Sequence, residues 1–296
     1  MAKAIFTASD STTYDDRKDL WYHFPKTYLA QVEAARGDDV IFYQPRRNSG
    51  PGSSDGSQSY IAAARITGIR SDPSIPDHYF ADLSHYIDFD TKVPFKLDYR
   101  YFESALQKLD GTTNKGAFGR SVRLVPDDEF DAIIAMGLHK SLSEVAAGGN
   151  DGFDLDWNDE QVIERPRTPV LLMRRVRAVA FRRNVLAAYN DTCAVTGLRI
   201  LDSSGRAEAQ AAHIRSVAKD GPDAVRNGVA LTGTAHWLFD RGFISINDDY
   251  SLLVSREAIS IAETIGVGPR LLLPHDASNA PRVDFIRWHR EEVYCG

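Results

Sequence analysis

The stretch from Cys193 to Asp249 constrains the fold of this chain more than any other, because its turn signals fix an order of local structures. The segment Arg206–Ile214 alternates small and apolar residues, which is typical of a strand. Gly-Pro-Asp at 221–223 indicates a loop. Asn227-Gly228 is a tight-turn dipeptide and predicts a short strand directly after it, at 229–231.

A helix and a further strand are expected to complete this order. Thr232 or Thr234 can cap a helix, and Gly242 is placed to end it. Residues 243–246 alternate like a strand. The stretch therefore predicts the order strand, loop, strand, helix, strand.

The polar residues of this stretch suggest hydrolytic chemistry. His236 and Asp240 are four residues apart, so they share one face of a helix and can bind one divalent metal ion. His213 lies on a different element, where a neutral imidazole can take a proton from water. Asn227 is expected to hold that imidazole through a carbonyl or amide contact. A water nucleophile, a fixed base and one metal on the leaving oxygen suffice to hydrolyse a phosphodiester.

Four motif blocks of this stretch together resemble the HNH, or ββα-metal, endonuclease family. The blocks are C-x-x-TG at Cys193–Gly197, AAHI at Ala211–Ile214, NG-x-x-L at Asn227–Leu231 and H-x-LFD-x-G-x-I at His236–Ile244. The resemblance implies that His213 is the general base, that Asn227 orients it and that His236 is a metal ligand, with Asp240 as the second ligand. The implied cofactor is Mg²⁺ or Mn²⁺.

This chain departs from the family at one position of the metal shell. Many HNH enzymes place an acidic or histidine ligand directly before the base, where this chain has Ala212. Asp240, Gln210 or Glu208 are the candidates to complete the shell. Each functional residue also has an ordinary alternative, such as a packed histidine, a simple turn or a pair on a helix surface. Cys193 is expected to be a small buried side chain of the module.

Composition sets wider limits. A hydrophobic content of 43% is ordinary for a globular protein. The net charge of −6 argues against a general nucleic-acid coat protein, but it does not exclude a nuclease, because local patches matter more than the total. Such a patch lies within 165–183: Arg165, Arg167, Arg174, Arg175, Arg177, Arg182 and Arg183. No membrane-length apolar run, no signal-peptide core and two distant cysteines predict a cytoplasmic protein with no membrane partner.

Residues 1–137 are expected to form a mixed α/β domain. The predicted helices are 26–36, 101–109 and 127–137, and the predicted strands are 39–45, 60–69, 78–89 and 121–125. The first two of these strands should form a hairpin around a Gly- and Ser-rich tip. The GD-VIFY strand and the following Y-x-A-x-A-R-I strand resemble the PUA-like group, which includes EVE, YTH, ASCH and SRA-related domains.

That resemblance implies an aromatic-lined pocket that holds a flipped or modified base. The candidates are Trp21, Tyr22, Phe24, Phe42, Tyr43 and Tyr60. Of these, Trp21 and Tyr43 are favoured. Strand aromatics also fill cores, which is the ordinary alternative. Arg46 and Arg47 are candidate phosphate contacts beside the Gly/Ser loop, with a solvated loop as the alternative.

The expected fold class is α+β: an N-terminal PUA-like mixed β-barrel with short helices, a linker at 138–168, and a ββα-metal (HNH) domain at 169–296. The last domain opens with a helix at 169–190, whose Arg182 and Arg183 are further phosphate-binding candidates. A PUA-like domain that recognises a modified base and an HNH nuclease domain in one chain together resemble modification-dependent restriction endonucleases. We therefore expect a homodimer that cuts double-stranded DNA carrying 5-methyl- or 5-hydroxymethylcytosine. Two alternatives stay open: an HNH nuclease specific for unmodified DNA, and an inactive nucleic-acid-binding module.

Overall fold

The computed structural model describes residues 2–8, 17–46, 56–147 and 169–296. Contacts divide the chain into two compact units, Met1–Ser143 (unit 1) and Glu144–Gly296 (unit 2). Helices and strands occur in both units, which confirms the predicted α+β class. Within the described ranges, no helix is long and apolar enough to cross a membrane.

Unit 1 is built around a six-stranded sheet. Its strands are β1 (Lys3–Thr7), β2 (Trp21–Pro25), β3 (Asp39–Gln44), β4 (Ser59–Ser71), β5 (His78–Pro94) and β8 (Val122–Val125). The two strands between β5 and β8 in the chain, β6 (Lys96–Leu97) and β7 (Arg100–Tyr101), form a separate hairpin. The sheet order is β2-β5-β4-β3-β1-β8. Only the β1–β3 pair of this sheet is parallel. The antiparallel β3–β4 pair confirms the predicted hairpin.

Four α-helices accompany the described strands of unit 1. They are α1 (Leu29–Ala34), α2 (Lys115–Phe118), α3 (Asp127–Gly137) and α4 (His139–Ala146). The predicted helix at 101–109 is wrong, since this segment holds the end of β7 and a single 3-10 turn at Ser104–Leu106. Tertiary contacts override the local preference there: Leu106 is fully buried, and the Glu103 carboxylate binds Arg123 in β8.

The predicted linker at 138–168 begins with a helix instead of irregular chain. In α4, the Ser141 backbone N–H and hydroxyl both donate to the Asp90 carboxylate of β5, at 2.8 and 2.7 Å. This carboxylate satisfies N–H groups of the first helical turn that have no partner inside the helix. Residues 148–168 lie outside the described residues.

Unit 2 follows the predicted order of elements. Its elements are α5 (Pro169–Ala188), β9 (Gln210–His213), β10 (Gly228–Leu231), α6 (Gly233–Asp240), β11 (Ile244–Ile246), β12 (Leu252–Val254), α7 (Ile259–Thr264) and α8 (Val283–Glu292). The β9–β10 and β11–β12 pairs are both antiparallel. The order strand, loop, strand, helix, strand is thus confirmed, and so is the opening helix. Helix α5 packs on β9 and β10.

Buried His289 of α8 fastens the end of unit 2 to α6 and β11. Its ring stacks on Phe239 with the centroids 3.8 Å apart. Nδ1 lies 3.0 Å from the Ser245 hydroxyl, and Nε2 donates to the Phe239 carbonyl at 3.1 Å. Burial lowers the pKa of His289 to about 4. The imidazole is therefore neutral in the folded protein at neutral pH.

Acidification should destabilise unit 2 through this residue. Between pH 6.5 and about 4 the unfolded chain binds a proton at His289 that the folded chain does not, so stability falls as the pH falls through this window. The expected loss between pH 7 and pH 5 is about 2 kcal/mol. Hydrogen exchange of α8 amides would measure it. His289→Phe should flatten this pH dependence, whereas replacement of the exposed His275 by Gln should leave it unchanged.

Candidate active site

His213, the last residue of β9, is held by two side chains, and a third side chain contacts one of these two. Its ring stacks on Phe181 of α5, with the centroids 3.8 Å apart and the planes 8° from parallel. Nε2 lies 3.0 Å from Oδ1 of Asp223, while Oδ2 of Asp223 lies 3.7 Å from Nε of Arg177. The imidazole is 24% exposed. A carboxylate accepts from Nε2–H, so we assign the tautomer in which Nδ1 carries the lone pair.

Asn227 acts on the loop and does not contact the imidazole, which corrects the expected hydrogen bond to His213. The Asn227 side chain is fully buried. Its Oδ1 accepts from the Arg215 N–H, and its Nδ2 donates to the Arg215 and Pro222 carbonyls, each at 2.9 Å. Its main-chain carbonyl accepts from the N–H of Ile214 at 2.8 Å. Asn227 thus fixes the backbone on both sides of the loop that presents Asp223.

Gly228 begins β10 and forms no tight turn, so that part of the prediction is wrong. Its φ is −126°, an ordinary extended value, and Asn227 ends a 3-10 helix instead. Gly228 pairs with His213 across the ribbon. A Cβ at this position would lie 2.5 Å from Val185 and 3.0 Å from the Phe181 ring. The glycine is therefore required because α5 approaches the ribbon closely beside the histidine.

A second cluster forms around His236 on α6. Nδ1 of His236 lies 2.9 Å from Oε1 of Gln210 in β9, and Nε2 lies 3.3 Å from Oδ2 of Asp240, one helical turn further on. The pairing of His236 with Asp240 on one helix face is as predicted. Glu208 accepts from the N–H of Gly233 at 2.9 Å. Glu208 therefore satisfies the amino end of α6, a role that was predicted for a threonine side chain.

The helix that carries His236 ends as expected. Gly242 has a φ of +74°, and the N–H of Phe243 donates to the carbonyl of Leu238 at 2.8 Å. This left-handed glycine with its backward hydrogen bond closes the carboxyl end of α6. Cys193 is fully buried, with Sγ 3.6 Å from the Thr232 hydroxyl, so it packs inside the module as predicted.

The two histidines have different partners: His213 pairs with Asp223, and His236 pairs with Gln210 and Asp240. Among the described residues, no group of three or more histidine, cysteine, aspartate or glutamate side chains could hold a metal ion. The donor set of the second cluster nevertheless suits a hard divalent ion. Gln210 fixes the His236 ring through Nδ1, which leaves Nε2 beside a carboxylate oxygen of Asp240. Mg²⁺ commonly takes one or two protein ligands and keeps water or phosphate for the rest.

The predicted phosphate-binding arginines lie in different settings. Arg183 forms an ion pair with Glu144. Arg182 is half-buried on α5, and Arg46 is exposed after β3. Arg47, like Arg165 and Arg167, lies outside the described residues. Arg177, which was noted only as part of the basic patch, reaches Asp223 of the His213 cluster.

Most of the aromatic candidates of unit 1 lie in its core, which corrects the expected aromatic-lined pocket. Five of them are at most 3% exposed: Tyr22, Phe24, Phe42, Tyr43 and Tyr60. Tyr22 stacks on Phe6 with centroids 4.4 Å apart, and Tyr43 packs edge-on against Tyr60. Trp21 alone is partly exposed, beneath the guanidinium groups of Arg17 and Arg70. A base could stack on the other five only if core side chains moved.

Comparison with known proteins identifies the module of unit 2. Residues 193–247 match the HNH endonuclease family. This range contains His213, the His236 cluster and the loop that Asn227 fixes, whereas Phe181 and Arg177 of α5 precede it. The segment is therefore an HNH endonuclease domain, and the prediction of a DNA-hydrolysing nuclease is confirmed. No curated protein matches the chain significantly.

Three solved structures show distant similarity. The modification-dependent TagI restriction endonuclease is 16% identical over 98% of this chain and 81% of its own, with a TM-score of 0.33. The N-terminal domain of Staphylothermus marinus McrB is 12% identical over 46% of this chain and 94% of its own, with a TM-score of 0.32. The Type IV phosphorothioation-dependent restriction endonuclease ScoMcrA is 14% identical over 97% and 54%, with a TM-score of 0.23. Scores this low carry no argument about function.

Proposed function

We propose that this chain hydrolyses DNA phosphodiesters with His213 as the general base. The observation that carries the proposal is the hydrogen bond from Nε2 of His213 to Asp223, which leaves Nδ1 as a proton acceptor on a partly exposed ring. Nδ1 takes a proton from a water molecule as that water attacks phosphorus. The Asp223 carboxylate stabilises the imidazolium that forms, and stacking on Phe181 keeps the ring in place.

His236 and Asp240 are the proposed metal-binding residues. Gln210 orients the His236 ring, so that its Nε2 and an Asp240 oxygen are offered together. A divalent ion bound there, Mg²⁺ or Mn²⁺, supplies charge neutralisation at the scissile phosphate and the leaving 3′ oxygen. In this proposal the scissile phosphate lies between the two clusters, with the general base on one side and the metal-binding residues on the other.

Unit 1 is the proposed reader of modified cytosine. Its six-stranded mixed sheet with short helices is consistent with the PUA-like resemblance of the GD-VIFY and Y-x-A-x-A-R-I strands. A separate domain beside a nuclease gives the enzyme a means of selecting its substrate. The proposed substrate is double-stranded DNA with 5-methyl- or 5-hydroxymethylcytosine. One HNH domain cuts one strand, so double-strand cleavage would take two copies of the chain, as in a homodimer.

A cleavage assay tests this proposal. Matched duplexes with cytosine, 5-methylcytosine, 5-hydroxymethylcytosine or its glucosylated form are incubated with the protein and Mg²⁺ or Mn²⁺. Cleavage of the modified duplexes but not of the unmodified one would support both the recognition of modified cytosine and the nuclease activity. Equal cleavage of all four would retain the nuclease and remove the modification requirement. A protein that binds DNA but cuts none of the four in either metal would favour a binding module and overturn the enzymatic proposal.

Replacement of Asp223 by asparagine should slow cleavage by about 10- to 100-fold. The amide is nearly isosteric but carries no charge, so it stabilises the imidazolium less and can favour the wrong tautomer. DNA binding in EDTA should stay within about twofold of wild type, because Asp223 contacts the imidazole and the protein should bind the substrate without it. Weaker binding or a lower melting temperature would indicate a purely structural role. Asp220→Asn, in the same loop, provides the control and should change neither the cleavage rate nor DNA binding.

A further inference from the structure

Large apolar side chains protrude from one segment of unit 1, between β5 and β8. Tyr99, in the two-residue turn between β6 and β7, is 94% exposed. Leu97 beside it is half exposed, and Leu109, in the next loop, is fully exposed. Single exposed apolar residues are ordinary, but three on neighbouring loops form a distinct surface. Folding of unit 1 gains no burial from the Tyr99 ring.

Contacts beneath the surface hold both loops in place. The Tyr101 hydroxyl lies 2.7 Å from the Thr113 hydroxyl, which ties β7 to the second loop. Phe95, just before β6, packs edge-on against Phe118 of α2, and Phe118 packs against Tyr43 of the core. Packed aromatic residues therefore support the two loops that carry the exposed side chains.

The same segment concentrates exposed positive charge in an acidic protein. Its cations, all exposed, are Lys96, Arg100, Lys108, Lys115 and Arg120. Its acids are Asp98, Asp110 and Glu103, and Glu103 is buried against Arg123. Within the described part of the chain none of these five cations forms an ion pair with a carboxylate, whereas other surface cations of the unit do. Lys26 pairs with Asp77, for example.

We propose that this surface, the Tyr99 surface, is where unit 1 contacts double-stranded DNA. The cations would bind backbone phosphates, and the Tyr99 ring would stack on a base or wedge into a base step. An open depression of about 700 Å³ lies beside Leu109 and is lined by Ser104, Gln107, Lys108 and Asp110 as well. The choice of DNA as the occupant rests on the proposed function of unit 2.

DNA binding by full-length variants in EDTA separates the two parts of the surface. Tyr99→Ala should weaken binding of a modified duplex about tenfold without changing the salt dependence, because the lost contact is uncharged. The double variant Lys96→Ala/Arg100→Ala should weaken binding and lower the slope of log affinity against log salt by about two. Ile75→Ala and Lys26→Ala are matched exposed controls and should bind like wild type.

A second readout tests base contact directly. With 2-aminopurine in the duplex, wild-type protein should increase its fluorescence as the base unstacks, and Tyr99→Ala should abolish the increase. Affinity within twofold of wild type for all surface variants would overturn the proposal, even if the protein cuts DNA. The proposal would also fail if the variants lost binding to anionic lipid vesicles or to RNA but kept binding to DNA. If Tyr99 proves necessary for DNA binding while no substrate is cut, only the nuclease proposal fails.

Discussion

Replacing His213 with alanine is expected to slow DNA cleavage by about a thousandfold or more. The substitution removes the ring nitrogen that accepts the proton of the attacking water, together with the contacts of this ring to Asp223 and Phe181. Single-turnover cleavage at saturating metal measures the chemical step. DNA binding in EDTA should stay within about twofold of wild type, because the imidazole is only partly exposed and acts on water.

Two further variants separate loss of the base from loss of the fold. His213→Gln fills more of the site than alanine and should be equally inactive. Added imidazole should partly restore the alanine variant, because removal of the ring leaves space against Phe181. His275→Ala, at an exposed histidine of the same unit, should cleave at the wild-type rate. A loss below about tenfold for His213→Ala, in a protein that melts normally, would show that another group activates the water.

Sequence reasoning predicted the geometry of this candidate site best where the residues are close in the sequence. His236 and Asp240 share a helix face because four residues make about one turn, and Gly242 ended that helix as expected. Asp223 was missed because it lies ten residues after His213, and their contact depends on how the loop between β9 and β10 folds back. The Gly-Pro-Asp before Asn227 was interpreted only as a loop signal. A carboxylate between a candidate base and a buried asparagine could have suggested the contact.

The fold of unit 1 was harder to predict, because its sequence signals are not local. Strands β1 and β2 are short, and neither was predicted. Aromatic residues such as Tyr43 and Tyr60 satisfy a strand pattern whether they fill a core or line a pocket, so the pattern could not separate the two roles. The structure places both in the core. The sequence did not predict the exposure of Tyr99, because the solvent exposure of a side chain in a turn depends on which residues pack around it in the fold.

Replacing Glu103 with leucine is expected to destabilise unit 1 by about 3–5 kcal/mol, the largest effect on stability that we predict. Glu103 is fully buried, and its two oxygens accept from Nε and Nη2 of Arg123 at 2.7 and 2.9 Å. The Tyr60 hydroxyl donates to the same carboxylate at 2.8 Å. Burial, together with this carboxylate, raises the pKa of Tyr60, so the phenol stays protonated and remains a donor. Leucine would leave a buried guanidinium without its counter-ion.

A double-mutant cycle tests whether the cost comes from the orphaned charge. Urea unfolding should show that Arg123→Leu alone is also strongly destabilising, since it leaves Glu103 buried and unpaired. The double variant Glu103→Leu/Arg123→Leu should recover most of the loss, because two apolar side chains can pack where the ions were. Arg65→Ala breaks the exposed pair with Asp39 and should cost under about 1 kcal/mol. A single Glu103→Leu variant as stable as wild type would contradict the prediction.

The same ion pair links stability to the Tyr99 surface. Glu103 lies two residues after β7, and Arg123 of β8 also donates from Nη1 to the Thr7 hydroxyl and the Arg120 carbonyl, at 3.1 and 2.9 Å. The pair thus fastens the segment that carries Tyr99 to the edge of the six-stranded sheet. Glu103→Gln keeps acceptor and shape but removes the charge, so it should loosen this segment without unfolding the unit. We expect faster hydrogen exchange at 95–120 and weaker DNA binding in this variant, with exchange in α6 unchanged.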